Sequence, residues 1–148
     1  MNYLKIQQDF LKKYYTQSLR GLSYRDLYHG MMRGLTCIGI DYFMAAIPND
    51  LCKVDLSDIP LFDMTSFDNL IDKSTVLKTS DYAVYDGKRT LKIFLNGDEK
   101  IYINTNYLKY FDIKEPTYKG TNRKSPVFIF DHDLFCGFVL PVNYKGGD

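Results

Sequence analysis

The chain has 148 residues, with 19 Lys and Arg against 18 Asp and Glu and a formal net charge of +1. This near-neutral balance excludes a strong overall field toward nucleic acid, and the 45% hydrophobic and 25% charged residues argue against disorder. The three cysteines form no CxxC pair, so the sequence indicates neither a disulfide framework nor a zinc knuckle. A chain of this length fits one domain.

The ends of the chain and its longest apolar stretch bear on location. The first residues lack the basic region and apolar core of a secretion signal. The apolar stretch 35–47 is interrupted by Thr36, Gly39 and Asp41 and is too short to span a bilayer. We therefore expect a soluble, cytoplasmic protein with no membrane contact, folded as one domain over residues 1–144, with a frayed tail at 145–148.

The first third of the chain predicts helices followed by strands. Apolar residues recur at helical spacing from Tyr3 to Tyr14 and predict an amphipathic, Tyr-rich helix over residues 2–15. Ser23 and Asp26 resemble a capping pair for a short helix that Gly30 would end. The next segments predict two strands hinged near Gly39 and an edge-like third strand, at 35–41, 42–48 and 51–56.

The middle of the chain predicts a helix and a meander. Thr65 or Ser66 could cap a helix over residues 67–73, and residues 76–78 could form a short strand. Asp86-Gly87 and Asn96-Gly97 are dipeptides typical of type I′ hairpin turns. They predict an antiparallel meander of three strands, at about 82–85, 88–95 and 99–103.

The last third predicts another helix and a closing hairpin. Asn104 or Thr105 could cap a helix over residues 106–111. Strands at 126–130 and 134–140 would form the hairpin, turning at 131–133. The whole pattern indicates an α+β domain: antiparallel sheets, an N-terminal amphipathic helix, and two or three further short helices.

A stretch of the second half resembles a known family. Ile101–Phe111 (IYINTNYLKYF), Pro126–Phe130 (PVFIF) and Val139–Val142 (VLPV) are similar to the last repeat of the bacterial DNA polymerase sliding clamp. The resemblance implies a clamp-like domain and a role beside DNA. A clamp protomer carries two or three such domains, whereas this chain has room for one, and Asn143 stands where the clamp repeat usually has Arg. The chain also resembles short uncharacterised proteins of phages and mobile elements in Gram-positive bacteria.

Candidate catalytic groups are few. Asp131, His132 and Asp133 could hold a divalent metal, but neighbouring side chains in a hairpin tip point apart, and Asp-rich tips are ordinary turn chemistry. Cys136 lies four residues from His132 and could be a nucleophile, yet its surroundings indicate a buried strand. We therefore predict no catalytic residue, no metal site and no cofactor.

Two binding surfaces can be proposed from the sequence. Cations near tyrosines on a sheet are typical of single-strand binding, although a solvated sheet face is the favoured alternative; these cations are Lys88, Arg89, Lys92, Arg123 and Lys124. Exposed Tyr is enriched at protein interfaces, and an acidic stretch can steer association with a basic partner. The residues concerned are Tyr102, Tyr107, Tyr110, Asp55, Asp58, Asp63 and Asp68. For the tyrosines, the equal alternative to an interface is that they fill the sheet half-buried. For the acidic residues, it is a solvated face.

The first hypothesis is therefore a non-enzymatic module that binds a larger protein. Its most specific version is a phage-encoded inhibitor of a host defence nuclease, of the anti-CRISPR type, acting by steric occlusion. The alternative hypothesis is a DNA-associated replication accessory with a sliding-clamp-like domain.

Overall fold

The computed structural model describes residues 1–20 and 26–145, and these ranges contain three α-helices and ten strands. The helices are α1 (Tyr3–Leu19), α2 (Thr65–Lys73) and α3 (Thr105–Leu108). The strands are β1 (Leu27–Met32), β2 (Leu35–Ile40), β3 (Phe43–Ile47), β4 (Thr75–Val76), β5 (Lys78–Tyr85), β6 (Thr90–Asn96), β7 (Glu99–Asn104), β8 (Pro116–Gly120), β9 (Val127–Asp131) and β10 (Leu134–Val139).

The strands form two antiparallel sheets. The large sheet has seven strands in the order β1-β2-β3-β10-β9-β8-β4, and the small sheet is the meander β5-β6-β7. Strand β10 pairs with β3, so the first and last thirds of the chain share one sheet. The predicted α+β fold with antiparallel sheets and an N-terminal helix is confirmed.

The large sheet is covered on both faces. Ile6 and Phe10 of α1 and Phe94 of the small sheet pack against one face. Met64 and Ile71, at the start and end of α2, pack against the other face. Because both faces are buried, the central strands are continuously apolar rather than alternating, and β3 is buried at all five positions.

A bulge in β10 places its aromatic side chains. Phe135 pairs with Phe130 and Gly137 pairs with Ile129, so two residues of β10 oppose one of β9. As a result, Phe135 and Phe138 both join the core beneath α2. Gly137 has φ +142, and a Cβ there would lie 2.2 Å from the carbonyl oxygen of Met44. The bulge therefore requires glycine at this position.

The segment after β10 covers the outer face of the small sheet. Val142 donates its amide to the carbonyl of Tyr102 at 2.8 Å, and the Tyr144 ring lies 4.9 Å from that of Tyr102. Both residues pack on a small cluster built from Leu91 and Ile93. This closing segment ties the end of the described chain to β7.

The predicted short helix ending at Gly30 is wrong. Ser23, its proposed cap, lies outside the described residues, and Leu27–Met32 form strand β1. Every residue of β1 pairs with β2, and the amide of His29 also donates to the carbonyl of Pro60 at 3.1 Å. Pairing on both sides of β1 outweighs the local capping pattern.

The predicted strand at 51–56 is also wrong. Residues Asn49–Leu51 form one 3-10 turn. The backbone there and just after it makes hydrogen bonds to a side chain and not to a neighbouring strand. The amide of Gln7 donates to the Leu51 carbonyl at 3.1 Å, and its oxygen accepts from the Lys53 amide at 2.7 Å. A side-chain amide from α1 thus replaces a strand partner.

Both predicted hairpin turns differ in detail. Tyr85 pairs with Thr90, so the first loop spans residues 86–89 rather than two residues. Asn96 pairs with Glu99, which makes Gly97 and Asp98 the central residues of the second turn. Only Gly97 of that pair has positive φ, whereas a type I′ turn needs it at both positions.

Smaller differences concern caps and ends. The carboxylate of Asp63, rather than Thr65 or Ser66, stabilises the start of α2 by accepting from the Thr65 amide at 3.0 Å. Asn104 caps α3 as predicted, but the helix ends at Leu108. Strand β8 was not predicted; it begins at a proline, a residue tolerated at the first position of a strand. Of the predicted tail, residues 146–148 lie outside the described residues.

Candidate functional site: the Tyr42 groove

Three adjoining concavities lie at one end of the large sheet, and each is lined by Tyr42 and Leu140. We call them together the Tyr42 groove. One part, the apolar slot, has a volume of about 240 Å³. The other two, of about 400 and 360 Å³, form the cationic part. Tyr42 precedes β3 and Leu140 follows β10, and the Leu140 amide donates to the Tyr42 carbonyl at 2.8 Å.

The apolar slot is built from side chains that are distant in sequence. Besides Tyr42 and Leu140, its lining consists of Tyr28, Asp41, Met44, Phe62, Phe67 and Phe138. Its rim stays open to solvent, since Tyr42 is 61% and Phe62 47% exposed. Large apolar side chains left this accessible in one concave place are typical of a contact site.

Two polar side chains of the slot, Tyr28 and Asp41, are bonded within the chain. The Tyr28 hydroxyl donates to the carbonyl of Asp41, and the Asp41 carboxylate accepts from the Lys13 ammonium. Burial raises the pKa of Tyr28, and the charge of Asp41 raises it further. Because these two groups already have partners, an apolar group can enter the slot without leaving either of them unbonded.

Gly39 positions one wall of the slot. It pairs with Tyr28 across β1 and β2, and a Cβ at Gly39 would lie 2.0 Å from Cε2 of the Tyr28 ring. The ring therefore lies flat over the glycine. Any side chain at position 39 would displace Tyr28 and change the shape of the slot.

Of the three predicted interface tyrosines, one reaches the groove. The Tyr107 ring lies 6.3 Å from that of Tyr42, edge to face, and burial raises its pKa. Tyr102 is only 5% exposed. Tyr110 stacks on Phe43 at 4.5 Å; burial raises its pKa, and the hydrogen bond to Asp9 adds to the effect. The sequence could not separate these roles, because a half-buried strand or helix accepts tyrosine in any of them.

The cationic part of the groove gathers three of the five predicted cations. Arg89 lines one concavity beside Asn104 and Asn143, and Arg123 and Lys124 line the other. Lys92 lies elsewhere, over the rings of Phe94 and Tyr118 at 5.8 and 5.9 Å. Lys88 is exposed in the same loop as Arg89 but does not line the groove.

The three cations differ in how far they are neutralised. Arg89 is held by Asp86, with Nη2 at 2.6 Å from the carboxylate; hydrogen bonds from the Arg89 side chain and from the amides of residues 88 and 89 lower the pKa of Asp86 to about 2. Arg123 lies 3.6 Å from Glu99. Among the described residues, no ion pair includes Lys124. The available positive charge therefore lies on the loop between β8 and β9.

The predicted acidic residues bond to their own chain. Asp55 accepts from the Ser57 amide at 3.0 Å, and Asp58 accepts from the Tyr14 hydroxyl at 3.1 Å. Asp63 stabilises the start of α2, and Asp68 accepts from Arg33 at 2.9 Å. Hydrogen bonds from Ser57 and from Thr65 lower the pKa values of Asp55 and Asp63. Asp55 and Asp63 thus organise the segment locally, whereas Asp58 and Asp68 tie it to α1 and to Arg33.

The sequence candidates for chemistry do not form a site. His132 is 82% exposed at the hairpin turn, and the hydrogen bond to Asp131 raises its pKa. Cys136 is 1% exposed, and burial raises the pKa of its thiol. A buried, protonated thiol and an exposed imidazole do not make a nucleophile and base. The part of the chain that the structure describes holds no group of three His, Cys, Asp or Glu that could bind a metal.

Sequence reasoning missed the apolar slot. Its clearest signal is Leu61-Phe62, two adjacent apolar residues between Pro60 and Asp63 in an otherwise acidic segment. A second is Tyr42, an aromatic residue at the turn between two apolar strands. The Leu61-Phe62 pair follows no helix or strand pattern, and large apolar residues of this kind are candidates for exposed contact positions.

Comparison with protein-family models, curated proteins and solved structures finds no match for this chain. The resemblance to a sliding-clamp repeat therefore stays a prediction. Across the described residues, the helices are too short or too polar to cross a bilayer.

Proposed function

We propose that this protein is a non-enzymatic binding module that holds a larger protein at the Tyr42 groove. The observation that carries the proposal is the open apolar slot. Its rim exposes Tyr42 and Phe62, the Tyr28 hydroxyl and the Asp41 carboxylate are already bonded, and a sheet covered on both faces supports it. Aromatic anchors of this kind dominate the energetics of protein interfaces.

The mode of action that this arrangement supports is steric. When a partner binds at one end of the large sheet, the rest of this domain would cover part of the partner's surface. No chemical step is needed for that effect. The more specific version, a phage-encoded inhibitor of a host defence nuclease, is supported by the resemblance to phage proteins and not by any residue of the groove.

Protein capture tests the proposal. The tagged protein is incubated with a Gram-positive lysate treated with nuclease, and the Tyr42→Ala variant is compared with Tyr82→Ala. Tyr82 is the matched control because it is 78% exposed on the small sheet, away from the groove. We expect a protein that is retained by the wild type and by Tyr82→Ala, and retained at least about 10-fold less by Tyr42→Ala. Equal retention by both variants would contradict the proposal.

A second candidate function, single-strand binding, is favoured by one observation. Arg89, Arg123 and Lys124 lie in the same groove as the rings of Tyr42 and Tyr107, and cations beside stacking aromatics grip single strands. Fluorescence anisotropy with a labelled single-stranded oligonucleotide tests it. The double variant Arg123→Ala/Lys124→Ala should bind more weakly and with a shallower salt dependence. Lys92→Ala should bind like the wild type, because Lys92 lies over the rings of Phe94 and Tyr118 and outside the groove.

A further inference from the structure

We propose that the segment held by the Tyr42 groove is acidic and carries one large apolar side chain. The side chain would fill the slot, and its neighbouring carboxylates would lie beside Arg123 and Lys124. This inference rests on the proposed function and names the chemistry of the partner.

The size of the slot suits one large side chain. Its volume of about 240 Å³ is below the roughly 300–1,000 Å³ of sites that enclose a ligand. Its walls are rings: Tyr28 and Phe62 lie 5.4 Å apart, and Phe67 stacks on Phe138 at 4.6 Å. Ring walls favour an aromatic or branched aliphatic group.

The charge beside the slot selects acidic neighbours. Tyr42 and Leu140 are common to the slot and to the concavity of Arg123 and Lys124, so a segment crossing these two residues enters both. An extended chain advances about 3.3 Å per residue, and a carboxylate a few residues from the anchor can therefore reach the loop. The Lys13 ammonium that bonds the Asp41 carboxylate also lies 3.9 Å from Asp26, so the acidic residues of the segment belong on the side of Arg123 and Lys124.

The chain itself has a segment of this chemistry, which bears on whether a second copy is the occupant. Leu61-Phe62-Asp63 combines apolar and acidic residues, but Phe62 already lines the slot. The Phe62 amide also donates to the His29 carbonyl at 2.7 Å, which fixes the segment against β1. If this segment left its place to fill the slot of another copy, the slot of its own chain would lose the Phe62 wall.

Binding of designed peptides tests the inference. The probe is a fluorescein-labelled heptapeptide with Phe at its centre and Asp and Glu on both sides. Two matched peptides replace the central Phe with Ala, or all acidic residues with Lys. Anisotropy titrations of the full chain should give at least about 10-fold weaker binding for each matched peptide.

Variants assign each preference to its residues. Tyr42→Ala should remove most of the preference for Phe over Ala, and Arg123→Glu/Lys124→Glu should remove the preference for acidic flanks. Lys92→Glu is the control for charge and should bind like the wild type. Circular dichroism confirms that each variant is folded.

The outcomes separate the inference from the proposed function. Binding of the Lys peptide as tightly as the acidic one, or no binding of any peptide at about 1 mM, would overturn the inference; a protein captured through Tyr42 would then still support the proposed function. Self-association lost in Tyr42→Ala would make a second copy the occupant and overturn the inference. Displacement of the acidic peptide by a single-stranded oligonucleotide, with no protein captured through Tyr42, would overturn both.

Discussion

At two glycines of the large sheet, other atoms lie so close to the backbone that no side chain fits. Gly39 lets the Tyr28 ring lie flat, and Gly137 lets β10 bulge against β3. The sequence indicated a hinge near Gly39, and it placed Gly137 inside a strand. It could not show which atoms approach them, because Tyr28 and Met44 come close only through sheet pairing.

Gly137→Ala should be strongly destabilising. The added Cβ would meet the Met44 carbonyl at 2.2 Å, and φ +142 is strained for any side chain. The strain alone costs about 1–3 kcal/mol, and the contact with backbone adds to it. Urea denaturation measures the loss. Gly34→Ala is the control, since φ +76 is also positive there but nothing lies within 4 Å; an equal loss in both variants would contradict the role of the contact.

The Asp86 carboxylate should titrate far below its ordinary pKa of 3.8, at about 2. A carboxylate with a lowered pKa stabilises the fold above its unfolded pKa, and the stabilisation is lost as pH falls through the folded value. The relevant window is therefore about pH 4 to 2. NMR titration of the carboxyl carbon measures it directly. Arg89→Ala should raise the titration midpoint of Asp86. Lys88→Ala is the control and should not raise it, because residue 88 bonds Asp86 through its backbone amide. An unchanged midpoint in Arg89→Ala would show that the backbone amides alone stabilise the carboxylate.

At the scale of elements, periodicity and turn dipeptides predicted α1, β2, β3, the meander and the last hairpin. These local signals gave wrong predictions where a segment pairs with residues that are distant in the sequence. The helix proposed before Gly30 followed a local cap pattern, while β1 is paired with both β2 and the segment at Pro60. The slot combines residues from β1, β3, α2 and β10 with Phe62, and no spacing along the chain reveals such a set.

The segment after the 3-10 turn should depend on Gln7. Its side chain holds the Leu51 carbonyl and the Lys53 amide, so Gln7→Ala should lose about 1–2 kcal/mol of stability. It should also speed hydrogen exchange at the Lys53 amide. The neighbouring Gln8 is exposed, and Gln8→Ala is the control. Unchanged protection of Lys53 in Gln7→Ala would mean that packing alone holds the segment.

At the scale of the whole molecule, stability should not depend on redox conditions. Cys37, Cys52 and Cys136 are all free, and Cys37 and Cys136 are buried. Burial raises the pKa of Cys37 to about 12, which leaves little reactive thiolate near neutral pH. We expect the same denaturation midpoint with and without a reducing agent. A midpoint that falls on reduction would indicate a disulfide formed between chains.

The pairing of β3 with β10 also governs how the protein emerges from the ribosome. Strand β3 ends at Ile47, and its partner is complete only at Val139. At about 5–20 residues per second, the nascent β1–β3 sheet waits roughly 5–20 s with its inner edge unpaired. Of the elements that cover its two apolar faces, α1 precedes the strands, whereas α2 and the small sheet are synthesised during this interval. We therefore expect the early part of the chain to bind a ribosome-associated chaperone, and a stalled translation product to be prone to aggregation.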